Sequence, residues 1–83
     1  IKPSIILVDQ IENNIRYLTQ DQNEPYLKLR VHPFVYAHLV NGLPSLRMNW
    51  YPKFKRWIRV VPMPSYHFME YRFFNKVDDE IKL

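Results

Sequence analysis

The chain is 83 residues long, has no Cys and one Gly, and carries two Trp, six Tyr and five Phe. That length suits one domain burying roughly 60–65% of its unfolded surface, and the missing thiols exclude disulfide staples and cysteine-ligated zinc. Twelve Lys or Arg against eight Asp or Glu give a formal net charge of +4, and the single Gly leaves no glycine-rich loop to cradle a phosphate.

The longest apolar runs, Ile5 to Val8 and Phe34 to Ala37, are too short for a membrane span or the apolar stretch of a signal peptide. A chain without Cys fits a reducing compartment, so the expected location is cytoplasmic. The opening at Ile1 rather than Met sets the expectation of a single domain, residues 1–83, excised from a larger parent.

After Pro3 and Ser4, the apolar positions Val8, Ile11, Ile15 and Leu18 recur at helical spacing, with Asp9, Glu12 and Arg16 on the other side. This predicts an amphipathic helix. Asp21 to Pro25 has no apolar periodicity and reads as a polar loop. Tyr26 to His32 predicts a strand, with Leu27, Leu29 and Val31 on a core face and Lys28, Arg30 and His32 on the opposite one. Pro33 suits a first helical position, Phe34 to Val40 carries the second helix, and Asn41-Gly42 closes it.

A third helix is expected from Pro44 and Ser45 toward Lys55, pairing Leu46 with Trp50 and Met48 with Tyr51. Pro52 removes a backbone hydrogen bond there and predicts a kink or a restart. Trp57 to Val61, rich in β-branched residues, makes a second strand, and Pro62 to Ser65 forms a link. His67 to Phe74 makes a third strand, with Met69, Tyr71 and Phe73 on one face and Glu70 and Arg72 on the other. The tail around Asp78-Asp79-Glu80 reads as a turn followed by a frayed end or a short edge strand. The expected fold class is α+β: a three-stranded sheet, elements in the order α-β-α-α-β-β, helices packed on one face.

Charge is segregated along this plan. Between Glu24 and Glu70 there is no acid, while Lys28, Arg30, Arg47, Lys53, Lys55, Arg56 and Arg59 fall there, interleaved with aromatics in WYPKFKRWIRVVP. That segment carries +7, and the flanks, with five Lys or Arg against eight acids, carry −3. No near neighbour in sequence neutralises the cations. One reading makes a polyanion such as RNA, or an acidic partner surface, the complement. The other has Lys and Arg coating the solvent side while Trp50, Phe54 and Trp57 build the core.

On the first reading, Lys28, Arg30, His32 and Arg59 share the open sheet face, and Lys53, Lys55 and Arg56 stand at the end of the third helix near Trp57. Such phosphate contacts are blind to sequence and strongly salt-dependent, and Trp57 or Tyr51 supplies a stacking partner. The chain lacks the aromatic pair of a ribonucleoprotein-type strand, the Gly-rich loop of a KH module and the ligands of a zinc knuckle, so sequence specificity is not supported. His32, His38 and His67 fall on three elements without metal-ligand spacing. Asp78, Asp79 and Glu80 read as a solvated turn rather than an ion site, and no Ser sits in a nucleophile elbow. No catalytic residue and no metal site is assigned.

The run KLRVHPFVYAHLVNGLPSLRMNWYPKFKRWIRVVPMPSYHFMEYRFFN resembles the small C-terminal domain of the catalytic region in bacterial ribonucleases of the RNase E/G family, especially the Bacteroidetes-type form. In that family a strand ending in a Val-His-Pro-like step leads into a helix. A Trp-containing helix comes next, then an IRVVP-like strand, then a strand ending in EYRFF-like residues. The similar segments here are Val31-His32-Pro33, Trp50, Ile58 to Pro62 and Glu70 to Phe74. The opening Lys2-Pro3-Ser4-Ile5 resembles the segment just after the family's cysteine zinc-link.

The resemblance implies a parent hydrolase that cuts single-stranded RNA endonucleolytically in RNA processing and decay. It would use Mg²⁺ held by carboxylates of a DNase I-like domain, a structural Zn²⁺, an OB-fold RNA-binding domain and a 5′-end sensor. None of those parts lies in this chain, so no catalytic or metal residue is carried over and no cofactor is expected in the fragment. The implied role is non-catalytic: assembly of the catalytic region, with other domains or subunits of the parent as partners. The alternative is a sequence-nonspecific surface for single-stranded RNA, with Lys28, Arg30, Lys53, Lys55, Arg56, Arg59 and Trp57 in contact. No membrane partner is expected.

Overall fold

The structure, a computed structural model, describes residues 5–83; the Pro3-Ser4 helix start and the Lys2-Pro3-Ser4 step lie outside them. Helix α1 (Ile5–Arg16) runs on into a π-helical turn (Tyr17–Asp21). Then come β1 (Leu27–Val31), α2 (Pro33–Val40), α3 (Leu46–Phe54), β2 (Ile58–Pro62), β3 (Tyr71–Phe74) and β4 (Glu80–Ile81). The domain is a mixed α+β unit with three helices and a four-stranded sheet in the order β2-β1-β3-β4.

The fourth strand corrects the expected three and the expected element order. The tail takes the edge-strand option, pairing Ile81 with Phe73 and Glu80 with Phe74. Asn75 makes this possible. Its Oδ1 accepts from the Val77 and Asp79 N–H groups, each at 3.0 Å, and its own N–H donates to the Asp79 carbonyl at 2.9 Å. An Asn side chain that mimics backbone in this way closes a tight turn.

In α1 the buried stripe is Leu7, Ile11 and Ile15, continued by Leu18. Leu7 leads it, not Val8, which is half-buried, because steps of four from Leu7 keep the three side chains on one face while Val8 falls at its rim. The π-helical turn is a second departure from the expected helix. There the Gln22 N–H reaches back to the Tyr17 carbonyl (3.0 Å), and the wider turn brings both Leu18 and Thr19 inward. The buried Thr19 hydroxyl donates to the Ile15 carbonyl at 2.8 Å, so it meets no orphaned interior.

β1 is the centre of the sheet. It runs parallel to β2 and antiparallel to β3, with Leu29 opposite both Val60 and Phe73. This register puts the apolar side chains of the three strands on one face. They join Ile11, Ile15, Val35, Leu39, Trp50 and Phe54 from the three helices in a single core cluster. Each such side chain contributes on the order of 1.5–3 kcal/mol when removed from water. The parallel β1–β2 pair needs a long crossover, and α2 and α3 provide it.

α2 starts where Pro33 fixes a helical φ and the His32 Nδ1 accepts from the Phe34 N–H at 3.1 Å. His32 therefore caps a helix and is not a sheet-face residue as the alternation predicts. Gly42, at φ +94°, makes the turn after α2. The buried Ser45 caps α3, its Oγ accepting from the Met48 N–H at 3.1 Å. Pro52 lies inside α3, which does not restart there but runs on to Phe54, after which Lys55 takes the left-handed conformation (φ 58°).

β3 begins at Tyr71, not His67. The preceding residues are used in turns, Tyr66 N–H to Met63 carbonyl and Glu70 N–H to His67 carbonyl, each at 3.0 Å. No helix among the described residues is long and apolar enough to cross a membrane.

Candidate nucleic-acid interface

Lys28 stands in register with Arg59 and Phe74, and Arg30 with Val61 and Arg72. These side chains share the sheet face opposite the core, so the sequence-predicted Lys28, Arg30 and Arg59 do come together. His32 does not join them: its ring packs against Phe34 (centroids 5.1 Å apart) and Phe68 (5.6 Å).

The face is far less positive than the sequence implies, because the 75–79 turn folds an acid over it. The Lys28 ammonium donates to Asp78 Oδ1, and an Arg30 nitrogen lies 3.9 Å from the same oxygen. The Lys28 hydrogen bond holds the Asp78 carboxyl below its usual range against a partial burial effect, helped by the charges of Lys28, Arg30 and Arg59. Arg30 also lies over the Phe74 ring, 4.0 Å from its centroid, which leaves Phe74 8% exposed on the side away from the core. The Arg30 Nε is buried without a hydrogen-bond partner among the described residues.

Further along, Arg72 pairs with Glu70 (2.9 Å) and Glu80 (3.2 Å). The Arg72 hydrogen bond, then one from the His67 N–H, hold the Glu70 carboxyl below its ordinary value. Glu70 and His67 thus meet through a turn, where strand alternation places them on opposite faces. An open cleft of about 370 Å³ beside β3 and β4, lined by Met69, Glu70, Arg72, Glu80 and Lys82, is bordered by these mutually paired charges. No near neighbour in sequence neutralises the central cations; the acids that do so come from residues distant in sequence.

The end of α3 is arranged differently. Trp50 is 1% exposed, and its indole Nε1–H donates to Glu12 Oε2 at 2.8 Å. The other oxygen of Glu12 takes Lys53 Nζ at 3.2 Å. Glu12 is therefore half-buried between α1 and α3 and not on a solvent face. Arg56 donates to the Glu24 backbone carbonyl, which ties it to the loop before β1. Lys55 is exposed and has no ion pair or side-chain hydrogen bond among the described residues.

Trp57, 47% exposed, faces outward beside Tyr51, 57% exposed, with ring centroids 6.3 Å apart and planes at 54°. The Arg47 guanidinium carbon lies 4.9 Å from the Trp57 ring centroid. Arg47 Nε is buried without a hydrogen-bond partner, and no ion pair to Arg47 is found among the described residues. The two sequence readings of the tryptophans each hold for one residue, Trp50 as core and Trp57 as exposed surface. Arg47 is the residue that sequence reasoning leaves out of the candidate site. Its step of four to Tyr51 is a readable signal, since it puts both on one helix face; the placement of Trp57 beside them is set by the start of β2.

Among the described residues, no group of three or more His, Asp or Glu is placed to hold a metal ion. What these surfaces offer is positive charge and flat aromatic faces. No protein family matches the sequence, and neither a curated protein nor a solved structure matches it.

Proposed function

We propose that this chain is a non-catalytic assembly domain of an RNase E/G-like endoribonuclease that acts in RNA processing and decay. The observation that carries this reading is the order in which the family-like segments fall on the fold. Val31-His32-Pro33 is the step from β1 into α2, Trp50 is the buried anchor of α3, Ile58 to Pro62 is β2, and Glu70 to Phe74 leads into and forms β3. All of them pack around one core.

An assembly role also needs surface that a partner covers. Phe34, Leu43 and Met48, on or between α2 and α3, are 53%, 88% and 41% exposed, and contact with another domain or subunit would take them out of water. On this reading Mg²⁺ and Zn²⁺ belong to other parts of the parent, and the domain acts in the cytoplasm.

The test is the solution mass and thermal stability of the ribonuclease that carries this domain, measured with and without residues 1–83. Loss of the higher oligomer on deletion is the expected result. Unchanged mass and unchanged stability would remove the assembly role.

A further inference from the structure

We propose that Arg47, Tyr51 and Trp57, with Lys55 at the turn between Tyr51 and Trp57, form a platform on which the unpaired bases of a single-stranded nucleic acid stack. The inference goes beyond the assembly reading and does not depend on it.

Tyr51 and Trp57 are both about half exposed and lie 6.3 Å apart, tilted at 54°. Two large rings exposed side by side keep about half of each residue's surface in solvent. Arg47 is held over Trp57 at 4.9 Å by the ring, with no carboxylate partner among the described residues. Its planar cation extends the aromatic surface.

Lys55, in the left-handed position that ends α3, carries its ammonium into solvent two residues before Trp57. Lys53, two residues on from Tyr51 and so on the opposite side of α3, is taken by Glu12 of α1. The Glu12 carboxylate is bonded to Trp50 and Lys53, between α1 and α3. A ligand that matches the set presents flat faces and negative charge at short, regular intervals. An acidic peptide would satisfy the cations and leave the rings bare, an apolar peptide would do the reverse, and a duplex hides its base faces. A single strand supplies both, its bases on the rings and its phosphates on Lys55 and Arg47.

The experiment titrates the 83-residue chain with RNA and DNA strands of about ten nucleotides, oligoadenylate and oligouridylate, and with inorganic polyphosphate as an anion without bases. Binding that weakens with salt, with oligoadenylate tighter than oligouridylate, is expected. Trp57→Ala and Tyr51→Ala should each weaken strand binding about tenfold while leaving polyphosphate binding unchanged. Trp57→Phe should keep most of the affinity, and an unchanged urea midpoint would show that each variant is folded. Either sugar supports the proposal, and the comparison of RNA with DNA identifies which strand the platform takes.

Strand binding that ignores both ring substitutions and is displaced fully by polyphosphate would overturn it. So would self-association of the chain that Trp57→Ala abolishes while strand binding stays as it was, since the rings would then be a protein contact.

Discussion

The open face of the sheet and the outer end of α3 carry similar cations and treat them in opposite ways. On the sheet, Lys28 and Arg30 meet Asp78, and Arg72 meets Glu70 and Glu80. At α3, Arg47 lies on a ring and Lys55 points into solvent. The lesson is that sequence distance between charges says little about their availability. A turn of the chain after β3 is enough to bring an acid over one basic surface, while Arg47 and Lys55 at α3 have no carboxylate partner among the described residues.

The largest expected effect separates the two sides of α3. Trp50→Ala should cost about 3–5 kcal/mol, because it empties the core and abandons Glu12, whereas Trp57→Ala should change stability by less than about 1 kcal/mol. Urea unfolding of both variants measures this. Equal losses would mean that Trp57 is structural after all and would break the contrast.

Next comes Glu12, whose carboxylate joins Trp50 and Lys53 of α3. Glu12→Ala leaves the buried indole N–H without an acceptor and should cost about 1–3 kcal/mol. Glu12→Gln keeps an acceptor, so it should cost less while raising the affinity of this end for anions through release of Lys53. A Gln variant as damaged as the Ala variant would show that charge, not the hydrogen bond, holds Trp50.

Asp78→Asn should turn the sheet face into a copy of the α3 end. With Lys28 and Arg30 freed, the chain should bind polyphosphate more tightly, and its salt dependence should steepen by about 0.7–0.9 per phosphate newly neutralised. An unchanged salt slope would mean that Asp78 does not restrain these cations.

The smallest effect is that of pH. Asp78 and Glu70 have folded-state values below their unfolded ones. Their contribution to stability is therefore fully present above the ordinary carboxylate range, roughly pH 4, and is lost as pH falls through the lower folded values. Thermal melts of the unsubstituted chain and Asp78→Asn should converge as the pH drops below that range. A constant gap would argue against the pairing.

Much of the fold is legible in the residues themselves. The alternation Leu27, Leu29, Val31 marks the central strand, Pro33 and Ser45 mark two helix starts, and Gly42 marks a turn, since each depends on local chemistry that a sequence states directly. The π-helical turn, the late start of β3 and the pairing of β4 are not legible. The first needs the core to draw Leu18 and Thr19 inward together, and the others depend on turns whose hydrogen bonds skip residues. For the candidate site, the basic and aromatic residues are visible in sequence, but their sorting into paired and unpaired sets is not. Asp78 is fifty residues from Lys28 and Glu12 thirty-eight from Trp50, and only tertiary structure brings each pair together.

The central place of β1 also dictates how the molecule must form. The strand is the first of the sheet in chain order, yet both of its neighbours, β2 and β3, arrive later, from across the two-helix crossover and beyond. Closing those long loops precedes any reward from the central ladder, so folding is governed by non-local encounters rather than by a growing local nucleus. A fragment that stops before Ile58 holds Leu27, Leu29 and Val31 with neither flank in place. The cooperative unit is therefore the sheet as a whole, with the two-residue β4 as the strand that opens first and β1 as the last to exchange its amide protons.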